Sequence, residues 1–175
     1  MTDHSPLRLR DRLIDDLFRY LETRGDVVMG SASSADVAAL ESLTLPLELK
    51  RVLQWNWPVQ LGRVGPYSLY GVTDLLSDED LKSLMDVGML PIGYAINGDP
   101  LVIKFSDSQY EVGLISHDEY WEDRSAGPEN CYVTVTRSLD ELLWRAVESK
   151  FLPVDFYAAS ELAEMRAEFD YTSPS

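Results

Sequence analysis

Between Leu90 and Phe105 the chain reads Leu-Pro-Ile-Gly-Tyr-Ala-Ile-Asn-Gly-Asp-Pro-Leu-Val-Ile-Lys-Phe. This stretch constrains the fold more than any other. Ile92, Tyr94 and Ile96 alternate with Gly93 and Ala95, the period-2 pattern of a strand with one buried face. Asn97-Gly98-Asp99-Pro100 supplies a turn, because Asn and Gly tolerate positive φ. Pro100 cannot donate a ladder hydrogen bond, so it marks a strand start. Leu101-Val102-Ile103 is apolar and rich in β-branched residues, and Ser106-Asp107-Ser108 offers the next turn. The stretch predicts a β-hairpin.

The flanks surround this hairpin with short strands and then helices. Val59–Val64 and Tyr67–Val72 predict two strands split by Gly65-Pro66; Tyr110–Ser116 and Cys131–Thr136 predict two more. In the last, Cys131, Val133 and Val135 fall on one face. Strands joined by turns this short pair antiparallel, since parallel neighbours need long crossovers. Leu9, Leu13, Ile14, Leu17, Phe18, Tyr20 and Leu21 predict an amphipathic helix over about 6–24, stopped by Gly25. A cap ending Gly30-Ser-Ala-Ser-Ser opens a helix through Glu41, and Pro46 suits the first position of the next. Pro58 ends that helix near Trp55-Asn56-Trp57. Ser77-Asp78-Glu79-Asp80 reads as the cap of a short helix carrying Leu81, Leu84 and Met85. Ser138-Leu139-Asp140-Glu141 fits a capping box before the stripe Leu139, Leu142, Leu143, Ala146 and Val147. A C-terminal helical extension over about 151–175 includes an amphipathic segment from Ser160 to Phe169, with a frayed end. The expectation is therefore α+β: one domain over 1–175, with a mostly antiparallel sheet of about six strands packed against N- and C-terminal helices.

Thirty acidic residues against fifteen basic ones give a net charge of −15. Residues 1–24 carry five of each sign, so the whole excess lies after Arg24. Such a field disfavours nucleic acid and anionic membranes and attracts basic partners; simple solubility is the competing reading. No window is long and apolar enough to span a membrane, and the first residues lack a secretory pattern. The single Cys131 fits a reducing cytoplasm.

The order of these residues resembles the SUKH superfamily. Glu41 ahead of Leu45-Pro46, then Leu49 and Leu53 before Trp55-Asn56, is similar to that family's opening. Leu90-Pro91-Ile92-Gly93 followed by Asn97-Gly98-Asp99 resembles its Pro-Ile-Gly and Gly-Asp core. The resemblance covers about 36–147, with Asn56-Trp57 where Asn-Gly is commoner and Pro100 after Asp99. It implies a cytoplasmic, non-enzymatic, cofactor-free binding protein. Many such proteins are bacterial immunity proteins that neutralise a toxin, often a nuclease; others are regulators or scaffolds that act through protein contacts. The matching residues are of fold-making types, so no catalytic set comes with them.

One constellation stands out as a partner-binding surface: His117-Asp118-Glu119-Tyr120-Trp121-Glu122-Asp123, on a predicted polar, acidic connection over 117–130. Asp118, Glu119, Glu122 and Asp123 can steer and pair with Arg or Lys, and Trp121 supplies apolar anchor area. In the competing reading Tyr120 and Trp121 pack the loop onto the sheet and the acids only face water. The same acids could hold Ca²⁺ or Mg²⁺ in a metal-dependent hydrolase, although the spacing of a calcium loop is missing. One Cys and two His fall short of a structural zinc set. No nucleophile elbow or phosphate-binding glycine loop is present. Trp55 and Trp57 flank Asn56; one in the core and one exposed would give a second anchor, and core for both is the competing reading.

Overall fold

The computed structural model describes residues 11–77, 83–106, 110–122, 125 and 127–172. Helix α1 (Asp11–Thr23) leads to a short strand β1 (Met29–Gly30), then α2 (Ser34–Ser42), α3 (Leu47–Trp55), β2 (Trp57–Pro58), β3 (Gly62–Val64), β4 (Tyr67–Leu69) and α4 (Val72–Ser77). The chain continues through β5 (Met89–Ala95), β6 (Pro100–Phe105), β7 (Tyr110–Ile115) and α5 (His117–Glu122). A 3-10 turn (Pro128–Cys131), β8 (Tyr132–Thr136), α6 (Leu139–Val147) and α7 (Ala159–Thr172) follow. The class is α+β. Strands β3 to β8 form an antiparallel meander whose spatial order is the chain order, and β1 pairs with β2 in a separate ribbon.

The central hairpin forms where expected, with a different turn. Gly98 N donates to Ala95 O and Ala95 N to Asp99 O, both at 2.9 Å, so Ile96, Asn97 and Gly98 make a three-residue loop. Only Gly98 takes a positive φ, +99°; Asn97 does not. This is a type I turn closed by a left-handed glycine, a geometry that suits the right-handed twist of the strands. Ile96 therefore sits in the turn, 80% exposed, and not on the buried face predicted for it. The alternation also breaks at Ile92, where a bulge shifts the register between Pro91 and Gly93. Both faces of β5 are covered, which a one-faced pattern could not convey.

Cap chemistry fixes several helix starts. Ser33 Oγ accepts from Asp36 N while Asp36 Oδ2 accepts from Ser33 N, a reciprocal box at α2. At α6, Ser138 Oγ accepts from Glu141 N at 3.2 Å, but the Glu141 carboxylate turns back to Arg137 N. Two expected starts move. Pro46 is the residue before α3 and not its first position. Ser77 closes α4, its hydroxyl donating to Asp74 O, so the strand expected to reach Val72 stops at Leu69. The helix expected after Ser77 and the turn Ser106-Asp107-Ser108 fall partly outside the described residues.

The helices cover one face of the meander. Leu101 and Ile103 of β6, Val112 and Leu114 of β7, and Val133 and Val135 of β8 meet Phe18, Leu21, Leu53, Trp57, Leu142 and Leu143 in the main core. Phe18 and Trp57 make an edge-to-face pair with centroids 5.7 Å apart, and Trp57 Nε1 donates to Tyr70 O at 2.8 Å. The opposite face carries a smaller cluster of Leu84, Met89, Val102, Ile115, Tyr120 and Cys131. Cys131 thus parts from Val133 and Val135. It ends the 3-10 turn instead of beginning the strand, and that offset sends its side chain to the other side of the sheet.

Candidate functional site

The smaller cluster is what holds α5 in place. The segment expected to be an irregular connection is a helix over His117–Glu122, with Asp118 and Glu119 in its first turn, where carboxylates complement the positive end of the helix. At 3.6 residues per turn, Asp118, Glu119, Trp121 and Glu122 share one arc and Tyr120 lies opposite its midpoint. Tyr120 is buried against the sheet. Asp118, Glu119 and Glu122 are exposed, Asp118 by 81% of its side chain. Trp121 remains 40% exposed, its ring resting on Tyr120 with centroids 4.9 Å apart. Of the two aromatics, Tyr120 joins the buried cluster that packs the segment onto the sheet. Asp123 lies outside the described residues.

Asp99 fastens the start of α5 to two other parts of the chain. This carboxylate is only 2% exposed. Oδ1 accepts from His117 N at 2.9 Å and from His117 Nδ1 at 2.7 Å. Oδ2 accepts from Asn97 Nδ2 at 2.6 Å and from Phe156 N at 2.9 Å. Asn97 Nδ2 also donates to Asp155 Oδ1, and Asn97 Oδ1 accepts from Asp99 N. Hairpin turn, helix start and the irregular segment before α7 are thereby tied to one buried group. Ser116 Oγ completes the helix start by accepting from Glu119 N.

The junction is charged on both sides. Burial pushes the Asp99 carboxyl up, but the donors from the His117 backbone, Asn97, the His117 ring and Phe156 outweigh it and hold the group below its ordinary value. His117 moves the other way. Its hydrogen bond to Asp99 and the negative charges of Asp118, Asp99 and Asp155 raise it, against a smaller opposing effect of burial. Asp118 Oδ1 stands 3.0 Å from His117 Nε2, so both ring nitrogens of a protonated His117 donate to carboxylates. Asp118 is thus both a surface acid and a partner of the junction.

Trp57 is fully buried, whereas Trp55 is 66% exposed on α3, so the reading that put both in the core fails for Trp55. Among the described residues, no group of three or more His, Cys, Asp and Glu is placed to hold a metal ion, and no helix is long and apolar enough to cross a membrane. Asp99, Asn97, Asp155 and Phe156 were not legible as site residues. Asn97 and Asp99 look like turn residues, and the separations of 18 and 57 residues that join Asp99 to His117 and Phe156 leave no local pattern. Compared with known proteins, the chain matches no family model and no curated protein.

Proposed function

We propose that the chain is a non-enzymatic binding protein that uses α5 to dock on a basic protein domain, acting as an immunity protein against a nuclease-type toxin. The single observation that supports this reading is the exposed Trp121 set among Asp118, Glu119 and Glu122 on a helix fastened to the sheet. Pre-ordered helices lose little freedom on binding, so a partner's arginines and lysines meet carboxylates that are already positioned. Trp121 offers the kind of aromatic area that, once desolvated, anchors a contact ringed by charge. The net charge of −15 adds long-range attraction for a basic surface. The toxin class follows from the resemblance of the Pro91–Gly93 and Gly98–Asp99 motifs to the SUKH superfamily.

The test is co-expression with basic nuclease toxin domains, together with melting of each purified mixture. Growth should be restored by the wild-type chain, and its melting temperature should rise with the concentration of the nuclease domain. Trp121→Ala combined with Asp118→Asn and Glu122→Gln should abolish both effects. Protection that survives those substitutions would remove α5 from the interface, and no stabilisation by the nuclease domain would overturn the reading.

A further inference from the structure

A cavity of about 490 Å³ lies between the end of α1, the β3–β4 hairpin and the chain that follows α6. Among the described residues its charged wall contains Arg24, Arg63 and Lys150 with a single carboxylate, Asp26. A chain with twice as many acids as bases has here inverted its local sign. Arg24 Nε contacts Asp26 Oδ2 at 3.0 Å, and Arg63 Nε donates to Gly65 O at 3.3 Å. Each of these contacts uses the inner nitrogen, Nε, of the guanidinium. Lys150 has no side-chain partner among the described residues.

The far wall is apolar. Phe151 and Phe169 stand with ring centroids 5.8 Å apart, beside Leu152. The negative end of α6 also borders the cavity, with the carbonyls of Trp144, Arg145 and Ala146 already accepting hydrogen bonds. Glu148 N donates to Trp144 O, Ser149 N to Ala146 O and Lys150 N to Arg145 O. Three carbonyls at this helix end are therefore capped.

We propose that this cavity binds a phosphate monoester carrying an aromatic or aliphatic body. Among the described residues, three cations against one carboxylate leave about two positive charges, matching the −1.5 to −2 of such a group near neutral pH. Two arginines present the planar donor forks that suit phosphate oxygens, and Lys150 adds a point charge. The volume is that of a small-molecule site, and the phenylalanine wall takes the organic part.

Calorimetry on the full chain with phenyl phosphate, inorganic phosphate and benzylamine tests the site. Phenyl phosphate should bind with a dissociation constant below about 1 mM, inorganic phosphate more weakly, and benzylamine not at all. Arg63→Gln with Lys150→Gln should weaken phenyl phosphate at least tenfold, while Phe169→Ala should weaken it without changing inorganic phosphate. Arg24→Gln, which leaves the other two cations in place, should weaken it as well. No binding of phenyl phosphate, equal binding of benzylamine, or undiminished affinity in both arginine variants would overturn the assignment.

Discussion

Asp99 accepts four hydrogen bonds from three parts of the chain while almost wholly withdrawn from water. Its removal leaves those four donors without their common acceptor. Asp99→Ala should therefore cost about 3 kcal/mol of folding stability, and Asp99→Asn about 2 kcal/mol, measured by urea denaturation. The pair it makes with His117 also gives stability a pH dependence. His117 is raised in the folded state, so its contribution is full below about pH 6.5 and is lost as pH climbs through the higher folded value. Asp99 is depressed, so its contribution is present above about pH 4 and is lost as pH falls through the lower folded value. The pair is most stabilising between those limits. The urea midpoint should decline above about pH 6.5 in the wild type, and His117→Gln should flatten that decline. A nuclear magnetic resonance titration placing His117 below its ordinary range would refute the charged pair.

Two backbone positions carry comparable weight in the strands and helices. Gly93 lies opposite Leu69, where an added Cβ would sit 2.0 Å from Ser68 O across the ladder. Backbone cannot yield as a flexible side chain would, so Gly93→Ala should destabilise by about 3 kcal/mol or prevent folding, read from thermal melts. Ser149 follows α6 in a left-handed conformation, φ +54°, where glycine is the unstrained choice. Ser149→Gly should add about 0.5–1 kcal/mol in the same assay. These positions also mark how far the elements were legible. Val133 and Val135 announced their strand through local alternation, Leu101, Val102 and Ile103 through an apolar, β-branched run, and Ser138 announced its cap. Helix α5 was missed because four polar or charged residues in six hide its single inward-facing Tyr120. Helix α4 was missed because Val72 and Leu75 extend the apolar run of β4. The Asp99 junction was missed because its partners are far apart in sequence.

The sheet is a meander, so neighbours in space are neighbours in the chain, and α5 attaches to the face opposite the main helical layer. The acidic helix is thereby displayed on a surface the core helices do not cover. Because the negative excess is spread over everything after Arg24, association with a basic domain should be controlled by encounter and not only by contact. Raising salt from about 20 mM to about 500 mM shortens the screening length several-fold and should slow association at least tenfold. Dissociation, governed by short-range contacts such as Trp121, should change much less. Neutralising Asp118, Glu119 and Glu122 together should slow association at low salt while lowering folding stability by about 1 kcal/mol through the lost charges at the helix start, apart from the contact Asp118 makes with His117. Stopped-flow mixing across the salt series separates the two rates. An association rate indifferent to salt would mean that the acids are bystanders and that exposed aromatics such as Trp121 and Trp55 set the contact by themselves.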